Sequence, residues 1–194
     1  MRQPAALRLS KLEDGETEAV QALAEAHFED VWRLLRRLGL PEADADDAAQ
    51  QVFTIACRRF ATIDVGRERA FLYGCAVRTA AKWRESRQQR VQPTTTGDLE
   101  SVDCADVDVL GVDELVEHRK ARALLDALLD KMPSELRTVF VLFEFEELTS
   151  HEIAALLGIP RGTAASRLRR AREDFAKRLS RVEKQLGIGG SARW

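Results

Sequence analysis

The residues of this sequence best suited to chemistry are arginines near its C-terminal end. Between positions 161 and 184 the chain carries nine Lys and Arg residues against three Asp and Glu. Guanidinium groups at this density neutralise phosphates, and such a basic stripe is typical of nucleic-acid-binding surfaces. The side chains that we predict to contact DNA here are Arg161, Thr163, Ser166, Arg167, Arg169 and Arg170.

Two short helices joined by a tight turn would position these side chains. Thr149 and Glu152 have capping-box spacing, which predicts the start of a helix. Gly158 supplies a left-handed residue at the end of that helix, and Pro160 suits the first turn of the next. The pattern predicts a helix–turn–helix whose second helix enters the major groove of duplex DNA. The alternative is an ordinary helical hairpin with a solvated basic face.

Within the second helix, different arginines are expected to contact different parts of the DNA. Arg167 lies four residues after Thr163 and three before Arg170, on one helix face, so we expect it to read a base edge. Arg161, in the N-terminal turn, is placed more like a phosphate contact.

A second basic stretch lies earlier in the chain, where residues 67–92 hold seven Lys and Arg against two Glu. Its helical spacing predicts one long helix over residues 68–90, with Tyr73 among the surface side chains. Cations beside aromatic rings suit single-stranded or melted DNA, because the rings stack on unpaired bases. The predicted contacts are Arg78, Lys82, Trp83, Arg84 and Arg87. The alternative is a solvated helix whose tryptophan packs on a neighbour.

The two basic stretches are separated by an acidic segment. Residues 93–118 contain eight Asp and Glu and no Lys or Arg, and they open with Pro, Thr and Gly. Like charges should keep such a segment extended, so we predict a flexible acidic linker over residues 93–115. Twenty extended residues reach about 65 Å, which exceeds one duplex turn of roughly 34 Å. Two DNA-contacting domains could therefore occupy separate sites.

The apolar residues of both halves recur at helical spacing, and no β-like alternation is present. The sequence therefore predicts an all-α protein with two helical domains. Helices are expected at 18–38, 44–60 and 134–145 in addition to 68–90. The predicted domains and segments are a disordered segment 1–17, domains 18–92 and 116–185 on either side of the linker, and a disordered tail 186–194.

Several function classes are disfavoured by the same sequence. Its three cysteines and three histidines are widely scattered, so no zinc site, disulfide framework or catalytic centre is expected. There is no Gly-rich phosphate loop, and no cofactor is predicted. The N-terminus has no apolar leader and no apolar run is long enough to span a bilayer, which favours a cytoplasmic protein.

Three stretches of the sequence are each similar to a motif of one protein family. D-D-A-A-Q-Q-V-F at 46–53 is similar to the signature D-L-V-Q-E-V-F. F-L-Y-G-C-A-V-R-T-A-A-K-W-R at 71–84 is similar to W-L-Y-x-I-A-R-N-x-A-x-D-x-x-R. Residues 131–149 are similar to L-P-x-x-x-R-x-V-x-x-L-x-x-x-E-G-L-S, which leads into the helix–turn–helix. In this order, with a linker between the second and third, the three stretches resemble the extracytoplasmic-function (ECF) group of bacterial RNA polymerase sigma factors over about residues 20–185.

This resemblance implies a mechanism without covalent chemistry. The helix at 44–60 would bind the clamp of core RNA polymerase, through Asp47, Gln50, Gln51 and Phe53. The helix at 68–90 would melt and read the −10 promoter element, and the helix–turn–helix would read duplex −35 DNA. The acidic linker would pass through basic channels of the polymerase. Core RNA polymerase and promoter DNA are thus the implied partners, and the family also allows an anti-sigma factor.

The main alternative is a free-standing, dimeric helix–turn–helix regulator that binds a palindrome. The sequence shows no dimerisation heptads, and this interpretation leaves residues 20–90 without a role.

Overall fold

The computed structural model describes residues 14–90 and 112–185. These two ranges contain seven α-helices, one short 3-10 turn and no β-strand, which confirms the predicted all-α class. The helices are α1 (Asp14–Arg37), α2 (Glu42–Arg59), α3 (Glu68–Arg90), α4 (Val112–Asp130), α5 (Ser134–Glu144), α6 (Ser150–Leu157) and α7 (Arg161–Gln185). We refer to α1–α3 as the N-terminal module and to α4–α7 as the C-terminal module.

Two helices begin earlier than the sequence indicated. Helix α1 begins at Asp14, inside the segment expected to be disordered, and α4 begins at Val112, inside the expected linker. Both starts are rich in Asp and Glu, which are favourable in the first turn of a helix because they complement its dipole. The acidic residues of the linker, which suggested an extended chain, are therefore also favourable at the start of a helix. The remaining predicted segments, at 1–13, 93–111 and 186–194, lie outside the described residues.

The N-terminal module is a three-helix bundle whose core is built from all three helices. Its long apolar side chains come chiefly from α1, where Val31, Leu34 and Leu35 are fully buried, and from Leu38 directly after it. Helix α2 contributes mostly alanines to the core, which lets its neighbours approach closely. Leu72 and the small residues that follow it on α3 complete the bundle.

The C-terminal module packs the helix–turn–helix against α4 and α5. Ile153 of α6 and three residues on one stripe of α7 (Ala164, Leu168 and Ala171) are buried. Phe140 of α5 stacks on Phe175 of α7 with ring centroids 4.8 Å apart. This packing fixes which side of α7 faces the core and leaves the opposite side in solvent.

The start of α6 has the capping box that the sequence predicted. The amide of Glu152 donates to the Thr149 hydroxyl, and the amide of Thr149 donates to the Glu152 carboxylate at 2.8 Å. Hydrogen bonds from the Thr149 side chain, and then from its backbone, hold the pKa of Glu152 below its usual value. Ionised Glu152 therefore contributes to folding stability. This contribution is lost as the pH falls through the lowered pKa, because the carboxylate becomes protonated. Gly158 ends the helix at φ 64° in the predicted left-handed conformation.

Glu147, in the turn before α6, is the one non-glycine residue with positive φ in the described ranges, at φ 56°. The signature matched by residues 131–149 has glycine at this position. A side chain in left-handed backbone costs roughly 1–2 kcal/mol, because Cβ approaches the following carbonyl oxygen. The turn is therefore under local backbone strain that glycine would relieve.

We expect Glu147→Gly to raise the free energy of unfolding of the C-terminal module by about 0.5–1 kcal/mol, since the added chain entropy offsets part of the relieved strain. Denaturant unfolding of the full chain measures the change. Glu147→Ala is the matched control, because it removes the same charge but keeps Cβ. An equal gain from alanine would show that charge, and not the backbone conformation, is responsible.

Candidate nucleic-acid interface

The solvent-facing side of α7 carries three of the predicted DNA contacts. Ser166, Arg169 and Arg170 are exposed and lie opposite the stripe that packs into the core. Arg169 pairs with Glu173 one turn further along, at 2.7 Å. Arg170 has no ion pair or side-chain hydrogen bond with any residue in the described ranges. Its guanidinium is therefore free to meet an acceptor brought by a ligand.

Arg167 lies at the edge of this face. Its side chain is 27% exposed, and its guanidinium pairs with Glu135 at the start of α5, 2.7 Å away. That pairing links the recognition helix to the helix behind it. The ion pair with Glu135 therefore fixes the orientation of the Arg167 side chain. This favours a role in positioning the helix over a role in reading base edges.

The remaining α7 contacts lie nearer the helix start. Arg161 is exposed and its Nε donates to Nδ1 of His151 on α6 at 2.8 Å, so it bridges the two helices of the motif. Thr163 is half-buried, and its carbonyl accepts from the Ser166 hydroxyl. The structure thus brings all six predicted side chains onto one helix, with Arg169 and Arg170 the most prominent.

On α3, the predicted contacts divide into exposed and half-buried groups. Arg78, Lys82 and Arg87 are exposed. Trp83 is half-buried against the core, and the guanidinium of Arg87 lies over its ring, 5.2 Å from the centroid. The structure therefore shows the packing of Trp83 on its neighbours that the alternative interpretation expected, and the contact of Trp83 with DNA stays a prediction.

Arg84 does not belong to the open surface of α3 that the sequence indicated. It is half-buried and donates to the carbonyl oxygen of Leu38, in the turn directly after α1, at 3.2 Å. Burial, and then the nearby charge of Arg137, lower the pKa of Arg84. Its observed contact ties α3 to the end of α1.

The expectation that Tyr73 lies on the surface is wrong. Tyr73 is completely buried, and its hydroxyl donates to the carboxylate of Glu146 in the turn between α5 and α6. Burial, and then this hydrogen bond, raise the pKa of Tyr73, so the hydroxyl stays protonated and can donate. Helical periodicity is compatible with a buried Tyr73, but Glu146, which its hydroxyl contacts, lies 73 positions away in the sequence.

The predicted polymerase contacts lie on α2. Asp47, Gln50 and Gln51 are exposed on its outer side. Phe53 is only 9% exposed and stacks on Phe28 of α1, with ring centroids 5.8 Å apart. Phe53 therefore supports the surface from beneath, while the three polar residues form it.

A groove of about 510 Å³ runs between α2 and α3. One wall includes Asp47 and Gln51, and the other includes Lys82, Trp83 and Arg87. The tertiary structure thus places side chains from the two predicted sites of the N-terminal module, 31 or more positions apart in sequence, along one groove. In the described ranges, no group of three or more His, Cys, Asp or Glu side chains could hold a metal ion.

Three buried or half-buried polar residues were missed by the sequence interpretation: Arg37, Arg137 and Glu146. The signature at 131–149 contains positions equivalent to Arg137 and Glu146, which was the only signal that could have drawn attention to them. Helical periodicity could not identify these three residues, because it assigns charged residues to the solvent-facing side.

Comparison with known families agrees with this arrangement. Residues 23–90 match Sigma-70 region 2, and residues 122–175 match Sigma-70 region 4. The first range contains α2 and α3, and the second contains the helix–turn–helix. The fold and the interface therefore define a protein of the sigma-70 class.

Individual relatives narrow the class further. The RNA polymerase sigma-E factor of Streptomyces coelicolor is 30% identical over 155 residues, covering 79% of this chain and 78% of that protein. SigW of Bacillus subtilis, an ECF sigma factor, is 28% identical over 89% of this chain and 95% of its own length. SigE of Mycolicibacterium smegmatis is 27% identical over 82% of this chain, which spans 61% of that protein's length. The chain belongs to the ECF group of the sigma-70 family of RNA polymerase sigma factors.

The solved structure of the sigma factor RpoE from Bartonella quintana, in complex with the anti-sigma factor NepR, has the same fold. Its TM-score is 0.65 at 19% identity, and the match covers 82% of this chain and 96% of that one.

Among the helices of the described ranges, none is long and apolar enough to cross a membrane.

Proposed function

We propose that this sigma factor docks on core RNA polymerase through the outer side of α2 and directs it to promoters. In this proposal α7 reads duplex −35 DNA, and α3 holds the non-template strand of the melted −10 element. The observation that carries the proposal is the pair of exposed basic faces on α3 and α7, within ranges that match sigma regions 2 and 4. The protein would act in the cytoplasm and would catalyse no reaction of its own.

The α7 face suits duplex DNA. The core-facing stripe holds the helix firmly, while Arg169 and Arg170 project from the opposite side. A helix held in this way can enter a major groove, where arginine pairs with guanine more often than any other side chain does. Arg161 and Arg167 contact His151 and Glu135 at the edges of this face, and in this proposal they would bind the flanking phosphates.

The α3 groove suits unpaired bases. Lys82 and Arg87 provide positive charge at its wall, and Trp83 provides part of an aromatic ring. Cations neutralise the backbone and rings stack on unpaired bases, so the groove can hold the non-template strand of the −10 element once the duplex opens. The acidic α2 wall on the other side would keep the phosphates toward the α3 side.

An anti-sigma factor is a further proposed partner. RpoE from Bartonella quintana was solved in complex with NepR, and CnrH in complex with the cytosolic domain of CnrY. We propose that this chain is held by a protein of the same kind, which would compete with core polymerase for the N-terminal module.

Transcription from a promoter library tests the proposed function. Core polymerase is supplied with or without this chain, and the initiated transcripts are sequenced. We expect the chain to direct initiation at a defined set of promoters that share −35 and −10 elements. Tight, dimeric binding of the free chain to a palindrome, with no effect on initiation, would instead support the free-standing regulator.

We expect Lys82→Ala combined with Arg87→Ala to reduce promoter opening by about 10-fold, while closed complexes form almost normally. The reason is that strand-holding contacts contribute only once bases are unpaired. Permanganate footprinting measures opening, and gel retardation measures closed complexes. Lys131→Ala, an exposed lysine in the turn after α4, is the matched control. Normal permanganate reactivity in the double variant would make the α3 face an ordinary solvated surface.

A further inference from the structure

The basic side chains of α7 fall into two groups, according to whether another side chain of the protein contacts them. The guanidinium of Arg161 contacts His151. Four further arginines pair with carboxylates: Arg167 with Glu135, Arg169 with Glu173, Arg172 with Glu144 and Arg178 with Asp174. The other four basic residues are exposed and have no ion pair or side-chain hydrogen bond within the described ranges: Arg170, Lys177, Arg181 and Lys184.

The four unpaired residues lie along one side of the helix. At about 3.6 residues per turn, they and Ser166 fall within about 60° of one another. This side is opposite the stripe of α7 that packs into the core. Two carboxylates lie near it, those of Glu173 and Asp174, and each is paired with an arginine. Unneutralised positive charge therefore extends about 21 Å along the helix, from Arg170 to Lys184.

We refer to Lys177, Arg181 and Lys184 as the distal cations. They lie on a half of α7 that the core of the C-terminal module also holds, because Phe175 stacks on Phe140 and Leu179 is half-buried. The whole helix is about 37 Å long at 1.5 Å per residue, whereas the major groove is about 12 Å wide. The N-terminal residues of a recognition helix contact the bases, so in a complex with DNA the distal cations would lie beyond the groove, toward its phosphate edge.

The residue types of the distal cations also suit phosphate. Two of the three are lysines, which act as flexible point charges, whereas base reading favours the flat, two-pronged guanidinium of arginine. All three lie after residue 175, where the match to Sigma-70 region 4 ends. The distal cations are therefore a feature of this chain that the family match does not include.

We propose that Lys177, Arg181 and Lys184 bind the phosphate backbone of the duplex beside the −35 element, and that this contact adds affinity without reading sequence. The proposal rests on the proposed function, because it takes α7 to be the helix that reads −35 DNA. A cation that neutralises a phosphate releases condensed counterions, so the added affinity depends steeply on salt. An acidic protein surface is a less suitable partner, because the distal cations continue the side of α7 that carries Ser166 and Arg170.

The salt dependence of promoter binding by core polymerase assembled with the full chain tests this proposal. Combining Lys177→Gln, Arg181→Gln and Lys184→Gln should reduce the slope of log affinity against log salt by roughly 3 units, about one for each contact. The matched control removes three exposed basic residues from α4 and the turn after it: Arg119→Gln, Arg122→Gln and Lys131→Gln. The control should keep the wild-type slope. Circular dichroism should show that both triple variants retain their helix content.

Ethylation interference locates the phosphates that the distal cations contact. With the wild type, ethylation of phosphates beside the −35 element should weaken binding, and this interference should disappear in the distal triple variant. Discrimination between matched and mismatched −35 templates should not change. Arg181→Ala should lower the salt slope by about one unit and keep base choice, which makes it a control for base reading. Arg181→Lys should keep both, because a phosphate requires the charge and not the guanidinium geometry.

The remaining outcomes would overturn the proposal. They are an unchanged slope in the distal triple variant, an equal loss in the control, and a loss of −35 base discrimination. Weaker binding of the distal triple variant to core polymerase without DNA would show that the distal cations contact an acidic protein surface instead. If the wild type directs core polymerase to no promoter, the proposed function fails. If the wild type does so and the distal triple variant keeps its slope, only the distal contact fails.

Discussion

Asp47→Arg is expected to reduce the affinity of this chain for core RNA polymerase by about 100-fold, because a like charge placed in a complementary interface costs several kcal/mol. Asp47 is exposed on α2 and has no ion pair with any residue in the described ranges. Replacing Gln50 and Gln51 with lysine should weaken binding in the same direction. Equilibrium binding of labelled chain to core polymerase, without DNA, measures the change.

The control for this experiment is charge reversal elsewhere on the same module. Glu85→Arg changes the charge by the same amount at an exposed position of α3. It should leave polymerase affinity within a few-fold of the wild type, and circular dichroism should show both variants folded. If Asp47→Arg and the two glutamine variants all bind as the wild type does, α2 is not the docking surface.

Arg170→Ala is expected to relax the choice of one −35 base, with a loss of about 1–3 kcal/mol of discrimination. The reason is that Arg170 lies on the open face of α7 without a partner in the described ranges. Arg167→Ala should instead lower activity on every template alike, because Glu135 holds its guanidinium at the edge of the helix. The sequence alone favoured Arg167 for base reading, and because Arg167 pairs with Glu135 we expect Arg170 to have that role instead.

The measurement is the salt dependence of transcription on matched and single-mismatch −35 templates. A phosphate contact should reduce the salt slope by roughly one unit when removed, and we expect this of Arg161→Ala and Arg167→Ala. Arg181→Ala is the control, since this exposed arginine lies on the same helix about 16 Å from Arg170 at 1.5 Å per residue. Equal losses on all templates for Arg170→Ala would refute the base-reading assignment.

Much of the molecule follows from the sequence alone. The all-α class, the capping box at Thr149, the left-handed turn at Gly158 and the position of the helix–turn–helix were all predicted and are present. These features depend on contacts between residues three to five positions apart, so local spacing contains the information. The family, too, could be recognised from three short motifs in order, and it is confirmed by the relatives.

The side-chain environments required the tertiary structure. Spacing could say that Tyr73, Phe53 and Arg84 lie on particular helix faces, but not what covers those faces. The partners of Tyr73 and Arg84 lie 73 and 46 residues away, and Phe53 meets a ring on a different helix. Only packing shows that the carboxylate of Glu146 is buried among three side chains of the other module. A charged side chain can be buried when groups distant in the sequence provide its hydrogen bonds and ion pairs. A local sequence pattern does not identify those groups.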